Sequence, residues 1–205
     1  GDVCSLRAGT YREVLRPAAS GQPGKPILFR AYNGEAAVLS AADPLTGWTR
    51  EEGNVFSAPM EWSLDDGNQL FAGAEMLTEA RWPDNGGTLL QPTRASASAG
   101  SPTTLTDPKL PGGPDAWKGA LLWCAGGAKW VAWSGRVTGF DPVTKTLTFD
   151  CKQAEGKWYT PKAGSEYVLM GVRAALDAEG EWWYDAGRKR VLLIPPAGKD
   201  PGALA

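Results

Sequence analysis

Three very short apolar runs open the chain: Val3–Leu6, Ile27–Arg30 and Ala37–Leu39. Turn-rich stretches separate them, Gly9-Thr10-Tyr11-Arg12-Glu13 after the first, Ser20–Pro26 before the second and Asn33-Gly34-Glu35 before the third. Runs of this length are too short for ordinary helices, and the intervening turns are too long for tight hairpins. The spacing predicts successive rungs of a parallel β-helix, in which strands stack on one another and bury one face.

Downstream of residue 45 the pattern changes. Gly53-Asn54 marks a turn between two short strands, and Gln69–Phe71 and Glu75–Leu77 flank Gly73 as a hairpin. Residues 85–115 are rich in Gly, Pro, Ser, Thr and Ala, including Ala95–Thr104, and read as a long surface loop. Strands are expected at Ala120–Cys124, Lys129–Ser134, Gly135–Phe140, Thr146–Cys151, Tyr167–Val172, Glu181–Asp185 and Arg190–Ile194. The best defined is the 135–151 hairpin, whose two alternating runs meet at Asp141-Pro142-Val143-Thr144. No amphipathic helix longer than about two turns is legible. Glycine (26) and proline (16) together make about a fifth of the 205 residues, as in a turn-rich β protein. The fold class expected is all-β, with residues 1–45 as the first rungs, 46–195 as an inserted antiparallel β-sandwich or barrel, and 196–205 as a return segment.

Composition removes several kinds of chemistry. A net charge of −2 gives no basic footprint for nucleic acid or an anionic membrane, and no apolar run approaches the length of a membrane span. The chain holds no histidine, which excludes Ser-His-Asp and Cys-His catalysis within it. Cys4 is expected as an inward-facing small hydrophobe, and Cys124 and Cys151 flank a hairpin with their pairing left open by the sequence. No Cys-x-x-Cys is present, and no metal site or cofactor is expected. For the loop Glu61-Trp62-Ser63-Leu64-Asp65-Asp66-Gly67-Asn68 a bound Ca²⁺ stays open, but calcium takes about six or more oxygens and this run shows no known ligand spacing.

Ten tryptophans are the chemistry-bearing residues that stand out. An indole offers a flat apolar face to the C–H face of a pyranose, while neighbouring polar groups take its hydroxyls. Most Trp in a small β protein is core, and Trp48, Trp123 and Trp182 are assigned there. Trp62, Trp117 and Trp158 sit beside polar or Gly/Pro residues and are the surface candidates. Asp65 and Asp66 add carboxylates beside Trp62. Arg81, Trp82 and Asp84, in Glu79-Ala80-Arg81-Trp82-Pro83-Asp84-Asn85, form a second candidate, because a guanidinium can give a carboxylate two parallel hydrogen bonds. The alternative is that Arg81 pairs with Glu79 or another neighbour and Trp82 packs beneath the loop. The carboxylates Asp65, Asp66, Asp84, Asp177, Glu179 and Glu181 are available for glycoside hydrolysis, but nothing in the sequence brings two of them across a cleft, and no catalytic residue is assigned.

Three blocks of the chain resemble carbohydrate-active right-handed parallel β-helix proteins of the pectate-lyase-like superfamily. The first is GD-x-x-x-x-R-x-G-T-Y-R-E followed by P-I-x-x-x-A-Y-x-G-E. The second runs from Asn68 through Glu79-Ala80-Arg81-Trp82-Pro83. The third runs from Ala175-Leu176-Asp177 through Gly180–Asp185 and Val191–Pro196 to Asp200-Pro201. The layout is similar to the N-terminal part of glycoside hydrolase family 120 xylosidases and to β-helix modules that bind xylan without cutting it. The resemblance implies a polysaccharide or oligosaccharide ligand, xylan first, and a secreted, extracellular or periplasmic setting. In that group the main helix follows the third block and carries the catalytic carboxylates or the binding face. The resemblance therefore implies that the chain adjoins the remainder of a β-helix or a catalytic domain. Three roles compete: a carbohydrate-binding or accessory module, the N-terminal piece of a glycoside hydrolase or polysaccharide lyase, and a structural capping or assembly domain.

Overall fold

The first three apolar runs do become strands, but each finds its partner along the parallel direction. In the computed structural model, which describes residues 1–88 and 90–204, the chain divides into two compact units, Gly1–Pro44 and Leu45–Ala205. In the first unit, β1 (Val3–Leu6), β2 (Gly9–Tyr11), β3 (Leu28–Ala31) and β4 (Ala37–Leu39) form two parallel pairs. Val3 lies opposite Leu28 in β1–β3, and Gly9 opposite Ala37 in β2–β4. A carboxylate ties the turns together: Glu35 accepts from Arg7 Nε at 2.9 Å and from the Ala8 backbone N–H at 2.7 Å. No residue of this unit is buried among those described. Cys4, expected inside, is exposed, because the first unit, as described, supplies only two-stranded sheets with no buried residue.

The second unit is built on antiparallel pairing. Its strands are β5 (Thr49–Arg50), β6 (Phe56–Pro59), β7 (Phe71–Ala72), β8 (Glu75–Met76), β9 (Thr78–Glu79), β10 (Arg81–Trp82), β11 (Ala95–Ser96), β12 (Ala99–Gly100) and β13 (Thr104–Thr106). They continue with β14 (Leu121–Ala125), β15 (Trp133–Asp141), β16 (Thr146–Asp150), β17 (Glu166–Met170), β18 (Glu181–Asp185) and β19 (Arg190–Leu193). An eight-stranded sheet runs β10-β17-β14-β15-β16-β13-β12, with β11 also on β17. A five-stranded sheet runs β5-β6-β19-β18-β9. The larger sheet is open, so the barrel alternative is not realised. Helical structure among the described residues is confined to short 3₁₀ turns, and no helix is long and apolar enough to cross a membrane.

The 135–151 hairpin forms where alternation and turn chemistry predict it. Along β15 the side chains of Trp133 and Val137 turn inward while Ser134, Arg136 and Thr138 turn outward. Asp141 then accepts the Val143 N–H at 2.8 Å and the Thr144 hydroxyl at 2.7 Å, closing an Asx-type turn. A register shift between Val137 and Gly139 marks a bulge against β16. Two expectations are corrected. Lys129–Ala132 is loop rather than strand, because Gly126-Gly127 break the ladder and Lys129 takes φ +63°. The small-residue stretch 95–104 is not a free loop but supplies β11 and β12, with Ala95 and Ala97 buried. Small side chains let this backbone sit tightly: Ala97 N–H donates to Ser165 O at 2.9 Å, and Gly164 N–H to Ala97 O at 2.8 Å.

The five-stranded sheet is packed on both faces. Trp183 and Leu192 face the main core, which they share with Leu105, Leu122, Leu147, Tyr167 and Leu169 of the larger sheet. Trp182, Val191 and Leu193 face a smaller cluster with Leu45, Trp48, Met60, Leu70 and Leu77. The adjacent pair Trp182-Trp183 thus serves two cores, as the two-residue strand period requires.

Trp117, a surface candidate by sequence, is a core residue at 1 % exposure. Its indole N–H donates to Pro111 O at 2.9 Å, which satisfies the ring's one polar atom in the interior. Trp117→Ala is expected to lower unfolding free energy by about 3–5 kcal/mol in urea titration. Trp62→Ala, at a half-exposed ring, is expected to change it by less than about 0.5 kcal/mol.

Candidate functional site

The segment from Glu79 to Asp84 carries the chain from one sheet to the other. Ala80 is fully buried in the main core, and the partly buried Trp82 packs against it. The Trp82 ring packs edge-on against Trp117, centroids 6.3 Å apart, and lies 5.8 Å from Tyr167. Tyr167 in turn donates its hydroxyl to Asp107 at 3.0 Å, and burial raises the phenol's pKa. The peptide Trp82–Pro83 is cis.

Arg81 is 7 % exposed, and its guanidinium is engaged with the protein itself. Nε donates to Pro83 O at 3.0 Å and Nη2 donates to Thr93 O, so the fork clamps both ends of the 83–93 loop. Neither Glu79 nor any other carboxylate forms an ion pair with it among the described residues, contrary to the pairing weighed from sequence. Burial lowers the Arg81 pKa, with the charges of Glu181 and Asp84 opposing that shift. The Arg81 guanidinium is thus engaged with backbone carbonyls and Trp82 packs against the core, while Asp84, on the loop beside them, faces solvent.

Three carboxyl groups that sequence reasoning did not assign to a site have unusual environments. Glu181 is buried; its Oε1 accepts the Arg81 N–H, and its Oε2 the N–H groups of Asp177 and Ala178, all at 3.3 Å. Burial raises its pKa to about 7, these three donors oppose the rise, and the Asp84 charge adds to it. Asp177 is raised as well, first by burial and then by Asp84. Glu79 also reaches about 7, through burial first and the Asp66 charge second, with Arg136 pulling the other way. A carboxyl that is half protonated near neutrality is the state a general acid needs. Here Glu181 and Glu79, the two that reach about 7, lie on opposite faces of the β9–β18 pair, since Thr78 stands opposite Glu181 and Glu79 opposite Trp182. They are not a pair across a cleft.

The 61–68 loop is held by its own polar groups. Asn68 Oδ1 accepts the Leu64 N–H at 2.8 Å, and Ser63 Oγ accepts from Asp65 N–H at 2.9 Å and from Asn68 Nδ2 at 2.8 Å. Asp65 takes φ +52° at the start of a 3₁₀ turn. Asp66 reaches across to Arg136 Nη2 at 2.5 Å. Trp62 is 49 % exposed. Among the described residues no group of three or more carboxylates or thiols is placed to hold a metal ion. Cys124 and Cys151 are free thiols, and burial pushes the Cys124 pKa up to about 12.

Trp158 is 56 % exposed on a different loop, with Trp130 beside it, ring centroids 6.2 Å apart. The predicted site residues thus fall into separate places: Arg81, Trp82 and Trp117 meet in or beside the core, Trp62, Asp65 and Asp66 share one loop, and Trp158 stands with a residue not singled out. Gly126-Gly127 was the sequence signal for that partner, because two glycines turn the following Trp130 out of a strand.

No family model matches the chain, and no curated protein matches it. Among solved structures, one titled "Glycoside hydrolase" superposes with a TM-score of 0.70 at 20 % sequence identity, over 98 % of this chain and 37 % of that one. The chain spans just over a third of the length of that structure. At this identity the likeness is one of fold.

Arg81→Lys is expected to destabilise the second unit by about 2 kcal/mol in urea unfolding, because one ammonium cannot reach both loop carbonyls in the fork's geometry. Glu79 has a folded pKa raised above its ordinary 4.5, so its contribution to stability is complete below about 4.5 and is lost as pH rises through about 7. Glu79→Gln, which has no side-chain hydrogen bond to lose among the described residues, is expected to remove that decline. The variant should match the parent near pH 4.5 and exceed it by about 1–2 kcal/mol at pH 8, a figure reduced for the group's partial exposure.

Proposed function

We propose that this chain is a carbohydrate-binding accessory segment of an exported β-helix protein of the polysaccharide-degrading kind, with xylan as its first ligand. The observation that carries the reading is the fold shared with a glycoside hydrolase along almost the whole of this chain. The parallel pairs of the first unit support the β-helix part. Val3 and Leu28, and Gly9 and Ala37, are stacked neighbours about 25 residues apart in sequence, a rung-like spacing. Val3 and Leu28, paired on one face of β1–β3, expose their side chains, apolar surface that further rungs would cover. Exposed indoles at Trp62 and Trp158 supply the surface on which a sugar ring stacks.

A second reading is favoured by the length relation: these residues correspond to 37 % of a glycoside hydrolase. On that reading the segment belongs to a glycoside hydrolase or polysaccharide lyase whose active site lies in other residues. The separation of Glu79 and Glu181 onto opposite sheet faces supports placing catalysis elsewhere.

Affinity electrophoresis of the 205-residue chain in gels containing xylan, pectin, β-glucan or mannan, with a reducing-sugar assay on the same samples, separates these roles. The expected result is retardation by xylan without sugar release. Release of reducing sugar would move catalysis into these residues. Migration unchanged in every glycan would overturn the binding role and leave capping or assembly.

A further inference from the structure

Two loops of the second unit meet to display a pair of tryptophans whose exposure the core does not require. Trp130 is 70 % exposed, and its ring is inclined at 59° to that of Trp158. A solvent-facing indole gives up apolar burial, and two together make a patch that calls for an occupant.

The display is built into the backbone. Ala128 N–H donates to Trp158 O at 3.0 Å, and Tyr159 N–H to Gly156 O at 2.8 Å. Beneath them Trp133, packed on Phe149, donates its indole N–H to Tyr159 O at 2.9 Å. The loops approach so closely that a side chain at Gly126 or Gly127 would run into the carbonyls of Tyr159 and Trp158, and Gly127 also takes φ +56°. A buried tryptophan and two obligatory glycines thus hold the two exposed tryptophans in place.

The surroundings carry positive charge. The Lys157 ammonium sits 5.4 Å from the Trp158 ring centroid. Next to Trp130, Lys129 reaches Glu166 at 3.7 Å; Glu166 is also bound by Arg94 at 3.0 Å, and Arg94 lies 5.2 Å from the ring centroid of Trp123, which was assigned to the core by sequence but is only half-buried, on the face of β14 opposite Leu122 and Cys124. Three cations against one carboxylate connect the Trp pair to a third indole, on a protein whose overall charge is −2. In the preceding turn Lys152 and Glu155 offset one another.

Aromatic faces bracketed by cations match a chain of pyranose rings bearing carboxylates: the rings stack and the carboxylates meet the ammonium and guanidinium groups. We infer that Trp130 and Trp158 form a stacking clip for a uronate-substituted polysaccharide, with Lys157 and the Lys129–Arg94 band reading its negative charge. The inference rests on the carbohydrate-binding reading above and specifies where and through which substituent the glycan is held.

The test is titration of the chain and of Trp130→Ala, Trp158→Ala and Lys157→Gln with glucuronoxylan and with unsubstituted linear xylan, at low and high salt, alongside thermal unfolding of each variant. Glucuronoxylan is expected to bind about tenfold tighter than unsubstituted xylan at low salt, an advantage that shrinks as salt screens the charges. Each Trp variant is expected to weaken binding about tenfold or more with an unchanged unfolding midpoint. Lys157→Gln is expected to cost about threefold and to reduce the salt dependence while leaving the stacking. Unaltered binding by both Trp variants would overturn the clip and leave the carbohydrate-binding reading standing. Equal affinity for the two xylans would overturn the charge recognition. Binding of neither xylan by the parent chain would overturn the clip, and the gels with the other glycans then decide the wider reading.

Discussion

The peptide around Ala80 is shared by two sheets, and the second unit is organised about that sharing. Its N–H donates to Trp182 O at 2.7 Å on the five-stranded sheet, and its C=O accepts from Gly171 N–H at 3.0 Å beside the eight-stranded one. Ala80 is fully buried, so these backbone groups have no water to fall back on and must find protein partners. Once they do, the flanking pairs follow: Thr78-Glu79 with β18 and Arg81-Trp82 with β17. The two sheets then face a common core in which Trp82, Trp117 and Tyr167 pack together.

The same crossing explains the settings of Arg81 and Glu181, which hydrogen-bond to backbone groups there. A chain leaving one sheet for another exposes backbone N–H and C=O groups that the ladders no longer pair. Arg81 caps the carbonyls of Pro83 and Thr93, and Glu181 caps the N–H groups of Arg81, Asp177 and Ala178. Charged groups satisfy such orphans strongly, at the cost of partial dehydration. The raised carboxyl pKa values record that cost. A backbone cap such as Glu181 therefore shares an electrostatic signature with a catalytic acid; its carboxylate accepts from backbone N–H groups and lies on the sheet face opposite Glu79.

The surface proposed to bind glycan lies where the core makes no demand. Trp130 and Trp158 sit on loops whose backbones are pinned by Gly126, Gly127 and the buried Trp133, and their rings face solvent. On the carbohydrate-binding reading, loops pinned in this way lose little entropy when the glycan stacks on them. Trp62 belongs to a loop of the same kind, held by Ser63 and Asn68.

Local chemistry was legible in the chain. Period-two alternation marked β15 and β16, Asp141 and Thr144 marked the turn between them, the absence of a 3.6-residue apolar period excluded long helices, and Trp182-Trp183 had to serve opposite faces. These depend on neighbours within a few residues, so the sequence by itself determined them, along with the absence of histidine chemistry. Burial depends on segments far apart in the chain, and only the tertiary structure decided it. Trp117 is inside because Pro111 and Trp82 close over it, Cys4 is outside because the first unit, as described, builds no core of its own, and Ala95–Ser96 and Ala99–Gly100 are strands because Tyr167, Glu166 and Thr106 offer them a ladder. The Trp130–Trp158 pair is non-local in the same way: residues nearly thirty positions apart meet because two loop backbones hydrogen-bond, an outcome that no reading of either segment alone contains.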